Sequence, residues 1–188
     1  MTEFIWLGGK SNVELGFLVL RSTNRPGLPG TVDRTLSIPG RNGLWDYGAD
    51  MGARSFTIDC AFITQDSFEL QNAIATLSAH LIDSFGKPRT LELKFRERPN
   101  QTFIVRFMGS LDIERIMGLG KFSIPLTAFD PFAYGPEQLQ ELSINSSPTT
   151  INIQSSGNVR TTPEIIVTNQ GTNTLQRFKI SNEYLIEG

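Results

Sequence analysis

Between residues 1 and 135, most apolar side chains recur at every second position, which is the spacing of a β-strand with one buried face. The clearest run spans residues 54–63, where Phe56, Ile58, Cys60 and Phe62 alternate with small or polar residues. The same alternation, or a short apolar run between turn residues, predicts further strands at residues 4–7, 17–20, 31–38, 91–95, 103–107 and 119–129. The pattern therefore predicts a mainly β domain.

One segment follows a helical period and predicts a single helix from Ser67 to roughly Phe85. Asp66 is a suitable N-cap, and Glu69 three positions later can complete a capping box. Gly86 suits the position just after a helix end. Apolar side chains at i, i+4, i+7 and i+11 form the stripe that we expect to pack on the sheet, namely Leu70, Ile74, Leu77 and Leu81.

The composition changes after Pro136, where the chain becomes rich in Ser, Thr, Asn, Gln and Pro. Such a shift is typical of a domain boundary. The sequence thus predicts an N-terminal domain at residues 1–136, a linker at 137–162 and the start of a second β domain at 163–188. Apolar runs at residues 165–167 and 175–180 predict strands in that last segment.

The composition offers little of the chemistry that catalysis or metal binding requires. The chain has 188 residues and a formal net charge of −2, so it lacks the basic footprint of non-specific nucleic-acid binding. Its one cysteine, Cys60, lies on the inward face of a strand, and its one histidine, His80, lies beside the helix stripe. We expect both to be structural. The sequence therefore predicts no enzymatic activity, no metal, no cofactor and, with no long apolar run, no membrane helix.

The loop at residues 39–48 carries an unusual concentration of apolar and turn-forming residues. Asn42 and Gly43 suit a tight hairpin tip, because both residue types tolerate positive φ. Trp45 and Tyr47 follow just beyond this tip. Two interpretations remain open: the two aromatic side chains fold back over their own sheet, or they lie on a projecting hairpin and dock on another subunit.

Two segments resemble the distal tail proteins of long-tailed bacteriophages: residues 34–43, RTLSIPGRNG, and residues 120–134, GKFSIPLTAFDPFAY. The order of elements between them is also similar, over about residues 1–136. The resemblance implies a β-sandwich or split-barrel-like N-terminal domain with a projecting belt hairpin at about residues 31–60, followed by a partial second β domain. It implies that the belt embraces a neighbouring subunit, with Ile38, Arg41, Leu44, Trp45 and Tyr47 as the interface residues.

The resemblance further implies a structural protein of a phage or prophage tail, made in the cytoplasm of the bacterial host and located in the virion tail. It implies a ring, usually a hexamer, that joins the tail tube to the tail-tip adsorption apparatus. The expected partners are further copies of the chain, the tail tube protein and tail-tip proteins. Neither a membrane nor a specific nucleic-acid sequence is an expected partner, although genome DNA can pass through the ring.

The second domain of this family is usually a galectin-like β-sandwich. About 50 residues follow Pro136, fewer than the roughly 100 of a complete sandwich, so we expect a second domain that is either cut short or reduced. The alternative function is a carbohydrate- or receptor-binding β adhesion module. A stable ring in solution favours the structural function, whereas a saccharide-binding monomer favours the adhesion module.

Overall fold

The computed structural model describes residues 2–181, and it divides the chain into two compact units, residues 1–142 and 143–188. The helix and strands of the described residues all lie in the first unit. In chain order they are β1 (Ile5–Leu7), β2 (Lys10–Ser11), β3 (Leu18–Val19), β4 (Thr31–Leu36), β5 (Trp45–Met51), β6 (Arg54–Ile63), α1 (Ser67–Leu81), β7 (Thr90–Phe95), β8 (Arg98–Phe107), β9 (Ile113–Ile116) and β10 (Leu119–Ala128). The predicted mainly β fold with one helix is confirmed.

Eight strands form one antiparallel sheet in the order β2-β1-β7-β8-β10-β6-β3, with β9 also paired to β10. The sheet curls into a half-barrel, which is the split-barrel form of the two architectures that the sequence left open. Its longest ladder joins β6 to β10 along their whole lengths, from the pair Arg54 and Ala128 to the pair Ile63 and Leu119. This ladder therefore spans the domain from one end to the other.

The predicted alternation in β6 places four side chains in the core, Phe56, Ile58, Cys60 and Phe62. Aromatic rings then meet in two groups of three within this core. In the first, the centroid of Phe62 lies 4.7 Å from that of Phe122 and 6.3 Å from that of Phe17. In the second, Phe56 lies 5.0 Å from Phe103 and 5.8 Å from Phe95. Six of the thirteen phenylalanines thus fix the packing of the sheet on itself.

Helix α1 covers the open side of the curled sheet with the predicted stripe, because Leu70, Ile74, Leu77 and Leu81 are all buried. Gly120 on β10 makes room for it, since a Cβ there would lie 2.8 Å from Leu70 Cδ1. The backbone N–H of Glu69 donates to Asp66 at 2.8 Å, as the N-cap prediction requires. The Glu69 carboxylate accepts from the N–H of the residue before Asp66, so the reciprocal bond of the capping box is displaced by one residue.

The helix ends earlier than predicted, at Leu81 rather than near Phe85. The next residue has an extended backbone, and the Asp83 side chain accepts hydrogen bonds from the N–H groups of Phe85 and Lys87, both at 2.8 Å. Those N–H groups bind a side chain in a turn and cannot continue the helix. Gly86 has a φ of +75° and belongs to this turn, so it does not cap the helix directly.

The second unit contains neither helix nor strand within residues 143–181, and each of these residues is exposed. The strands expected at residues 165–167 and 175–180 are therefore not formed. A short strand is stable only when its backbone pairs with a neighbour and its apolar face is covered, and this segment has neither. The last seven residues of the expected second domain lie outside the described part of the chain.

The described residues contain no helix long and apolar enough to cross a membrane.

Replacing Leu77 with Ala should lower the free energy of unfolding by about 2–5 kcal/mol, because the Leu77 side chain is fully buried and its removal leaves a cavity. Denaturant unfolding of the full chain measures this change. Phe68→Ala is the matched control on the same helix, since Phe68 is 76% exposed and its loss should change the free energy by less than about 0.5 kcal/mol. Equal effects of the two substitutions would contradict the packing of this helix face.

Candidate interface hairpin

Strands β4 and β5 form a separate antiparallel ribbon, and within the described residues they pair with each other and with no other strand. Every residue of both strands is exposed. Leu36 and Trp45 are the last paired residues, so their side chains lie on the same face of the ribbon. An isolated two-stranded hairpin is marginally stable in water and needs a surface to pack against. We refer to residues 31–51 as the arm.

The tip of the arm differs from the prediction. Asn42 and Gly43 do not form a two-residue turn, because strand pairing stops at Leu36 and Trp45 and leaves an eight-residue loop. The chain reverses instead at Pro39 and Gly40, where the Arg41 N–H donates to the Ile38 carbonyl at 3.1 Å. Proline presets the first central position of this turn, and Gly40 supplies the φ of +81° that its second position requires.

All five residues predicted for an interface lie on the arm or at its tip, and all five are exposed: Ile38, Arg41, Leu44, Trp45 and Tyr47. Trp45 retains 46% of its accessible surface and Tyr47 retains 64%, so neither folds back over the main sheet. The guanidinium of Arg41 lies over the Trp45 ring, 4.5 Å from its centroid. The structure therefore brings Arg41, Trp45 and Leu36 together and leaves this cluster open to solvent.

A bulge in the arm interrupts the pairing between Asp33 and Thr35. Opposite it, Gly48 has a φ of +93°, and its N–H donates to the Asp46 side chain at 2.8 Å. Such a bulge increases the twist of a ribbon and hinders the pairing of its edges with strands of other molecules. Arg34, which lies at the bulge itself, forms an exposed ion pair with Asp50 across the ribbon. The arm thus carries an apolar row near its tip, formed by Leu36 and Trp45, and a charged row nearer its root, formed by Arg34 and Asp50.

Arg54 fixes the root of the arm, a role that the sequence analysis did not identify. Its Nη2 donates to the carbonyl oxygens of Pro26, at 2.5 Å, and Gly27, at 2.9 Å, and its Nη1 donates to that of Pro131. The guanidinium also lies over the Phe103 ring, 4.7 Å from its centroid. Partial burial lowers the pKa of Arg54. The alternation of apolar and polar residues could not predict these contacts, because it shows only that Arg54 lies at the start of a strand.

The Asp-Pro-Phe-Ala-Tyr segment forms a small hydrogen-bonded turn next to this root. The Asp130 side chain accepts from the Phe132 N–H at 3.1 Å and from the Tyr134 hydroxyl. This bond to a carboxylate raises the pKa of the Tyr134 hydroxyl. Tyr134 and Thr102 exchange two backbone hydrogen bonds, at 2.8 and 2.9 Å. The segment is therefore tied to β8, and its Pro131 carbonyl is held where Arg54 reaches it.

Cys60 and His80, which the sequence analysis expected to be structural, both have structural surroundings. Burial raises the pKa of the Cys60 thiol strongly, which keeps it protonated. The His80 ring is buried, and its Nε2 donates to the Leu7 carbonyl at 2.8 Å, which joins helix α1 to β1. Within residues 2–181, no group of three or more His, Cys, Asp or Glu side chains is arranged to hold a metal ion.

Comparison with known proteins agrees with this architecture. A family model described as the phage tail protein RIFT-related domain matches residues 11–128. The match covers more than half of the sequence, and the chain belongs to this family of phage tail proteins. It is accordingly a structural protein of the virion tail, and the resemblance to distal tail proteins is confirmed. Comparison with curated protein sequences gives no match.

The fold is also similar to that of a solved phage protein, the Dit (gp 19.1) protein of SPP1, whose structure is described as a paradigm of the hub adsorption apparatus in phages that infect Gram-positive bacteria. The two structures superpose with a TM-score of 0.62 at 18% sequence identity. The superposition covers 72% of this chain and 53% of the SPP1 protein. The chain thus spans about half of that protein, and at this identity the likeness is one of fold.

Replacing Arg54 with Ala should loosen the root of the arm, because three backbone carbonyls lose their charged donor. Amide hydrogen exchange in residues 24–53 should then become at least about tenfold faster. Arg54→Lys should retain only part of the protection, since an ammonium cannot reproduce the fork of a guanidinium. Arg34→Ala is the control, because Arg34 forms an exposed ion pair that contributes little. Unchanged exchange in Arg54→Ala would contradict this role.

Proposed function

We propose that this protein is a distal tail protein whose first unit assembles into a ring, a hexamer in the form that the family resemblance implies, between the tail tube and the tail-tip adsorption apparatus. The observation that carries the proposal is the arm. Both of its strands are exposed, and its tip presents Leu44, Trp45 and Tyr47 to solvent. Exposed aromatic anchors of this kind are typical of the centre of a protein–protein interface.

A ring is the assembly that such an arm serves best. In a closed ring every contact is heterologous, which means that one patch on a subunit binds a different patch on the next one. An arm and a separate receiving surface meet this requirement without any second protein. Covering the arm also removes the apolar surface that a soluble monomer rarely exposes. The structural comparisons support this role through the shared fold, and the ring itself is our inference.

We further propose that residues 1–136 form the ring and that residues 137–162 link them to the start of a second β domain at 163–188. The chain divides into compact units close to this position, at residue 142. The apolar runs at residues 165–167 and 175–180 would form strands once further β structure is available to pair with them. Tail tube and tail-tip proteins are the proposed neighbours on the two sides of the ring, whose centre leaves a passage for DNA.

Replacing residues 39–47 with a short Gly-Ser turn should leave the secondary structure unchanged and shift the assembly towards monomer. The expected reason is that the arm contributes contacts between subunits and none to the core. Trp45→Ala alone should weaken assembly by about 2 kcal/mol or more if Trp45 is a central anchor. Sedimentation at several concentrations, with circular dichroism to monitor folding, measures both effects.

Phe85→Ala is a suitable control for this experiment, because Phe85 is an aromatic residue that is even more exposed than Trp45 but lies outside the arm. A variant without the arm that still forms complete rings would contradict the proposed belt. A variant that unfolds would show that the arm belongs to the core of its own subunit. A chain that remains monomeric and binds saccharide would favour the alternative function, a carbohydrate- or receptor-binding adhesion module.

Limited proteolysis should cut first between about residues 137 and 162, because this stretch lies at the proposed boundary and contains neither helix nor strand. A protease of broad specificity, followed by mass spectrometry of the fragments, locates the first cut. The resulting 1–136 fragment should keep the far-ultraviolet circular dichroism of the β domain. Cleavage that begins in residues 54–128 while the later segment stays intact would place the boundary elsewhere.

A further inference from the structure

An exposed apolar row crosses the outer face of the main sheet at the end where β6 finishes. Ile63 on β6 is the direct partner of Leu119 on β10, and Leu119 is also the direct partner of Ile116 on β9. Direct partners point to the same side of a sheet, so the three side chains stand in one line. All three side chains are exposed to solvent. We call this line the terminal row.

The turn beside the terminal row is held by hydrogen bonds and presents a methionine. The Gly118 carbonyl accepts from the Thr64 N–H at 2.9 Å and from the Thr64 hydroxyl at 2.8 Å. Gly118 has no room for a side chain, because a Cβ there would lie 2.3 Å from the Thr64 carbonyl oxygen. Met117 is left with a φ of +53° and with 86% of its surface exposed. Strain of this kind persists only where the surrounding structure enforces it, and it clusters at functional sites.

The terminal row lies at the opposite end of the domain from the arm. The arm joins the sheet at Arg54, the first residue of β6, whereas Ile63 is the last residue of the same strand. Ten strand residues separate the two ends by roughly 30 Å. A closed ring needs its two interface patches on separate sides of each subunit, so that an arm leaving one subunit reaches the far side of the next.

The charges on the two surfaces are also complementary. One step behind the terminal row, Lys121 on β10 is the direct partner of Glu114 on β9. One step behind the apolar row of the arm, Arg34 pairs with Asp50. Two orientations of the arm on the terminal row are possible: one places Arg34 opposite Glu114 and Asp50 opposite Lys121, and the reverse one places like charges together. The charges therefore favour the first orientation, because charge complementarity fixes alignment more than it adds affinity.

We propose that the terminal row and Met117 form the receiving surface for the arm of a second copy of this chain. The proposal rests on the proposed ring function and adds the identity of the surface that the arm binds. Met117 supplies an unbranched, polarizable side chain that can pack against the Trp45 ring. The row of Ile63, Leu119 and Ile116 covers the apolar side of the arm around Leu36.

Cross-linking between two singly substituted full-length proteins tests the contact directly. One protein carries Leu44→Cys at the arm tip and the other carries Met117→Cys. They are mixed, assembled and treated with a short bis-maleimide reagent, and the native Cys60 does not react because it is buried. A cross-linked dimer is expected in high yield. The control pairs Leu44→Cys with Phe129→Cys, an exposed position at the other end of β10, and should give little product.

The mass of the unsubstituted chain is measured in the same experiment, which separates the two proposals. Rings that cross-link through Phe129→Cys but not through Met117→Cys would overturn the receiving surface and leave the ring function intact. A chain that stays monomeric at every concentration would overturn both. Both proposals are supported by rings in which Met117→Cys is cross-linked and Phe129→Cys is not.

A second variant separates binding from folding. Met117→Gly relieves the positive φ, so the midpoint of unfolding should stay the same or rise. Assembly should nevertheless weaken at least about tenfold, because the exposed side chain is lost. Ile116→Ser should weaken assembly to a similar degree, whereas Ile104→Ser, an exposed position on β8, should change it less than about twofold. Unchanged assembly in Met117→Gly and Ile116→Ser would overturn the proposal.

Discussion

The ladder between β6 and β10 is the interaction on which the rest of this structure depends. It runs without interruption from Arg54 and Ala128 to Ile63 and Leu119, and it places directly opposed side chains such as Phe122 and Cys60 in the core. The rest of the main sheet builds outward from it: β8, β9 and β3 pair with its strands, and β7, β1 and β2 follow through β8. Helix α1 packs against the same core. Because a strand pair is stiff along its length, the ladder also fixes the separation between the root of the arm and the terminal row.

The distribution of apolar surface follows from this arrangement. The inward side of the ladder is packed with phenylalanine rings, which stabilise the domain without any contribution from the arm. The arm and the terminal row, at the two ends, keep large side chains in solvent. Soluble monomers rarely expose contiguous apolar surface of this kind, and the proposed assembly would cover it. The core of the subunit therefore does not depend on either exposed surface, which is what the proposed assembly of folded subunits requires.

Local contacts hold the arm and the turn at Met117 in place next to the main sheet. Arg54 ties the arm to the sheet through backbone carbonyls, and the bulge at Gly48 shapes the ribbon. Thr64 holds the Gly118 carbonyl and thereby presents Met117. In the proposed ring, such contacts would strengthen association by reducing the conformational freedom that is lost on binding. The chemistry of this protein is accordingly one of shape and packing, consistent with its family of structural tail proteins.

The sequence by itself determined the elements whose periodicity is strong. Alternation in residues 54–63 identified β6 and its buried face, and the spacing of Leu70, Ile74, Leu77 and Leu81 identified the buried stripe of α1. The tertiary structure decided what depends on contacts between distant residues. The turn at Pro39 replaced the expected one at Asn42, since strand pairing stops at Leu36 and Trp45. The contacts of Arg54 and the exposed position of Met117 depend on carbonyls and hydroxyls that are far away in the chain, which no local pattern encodes.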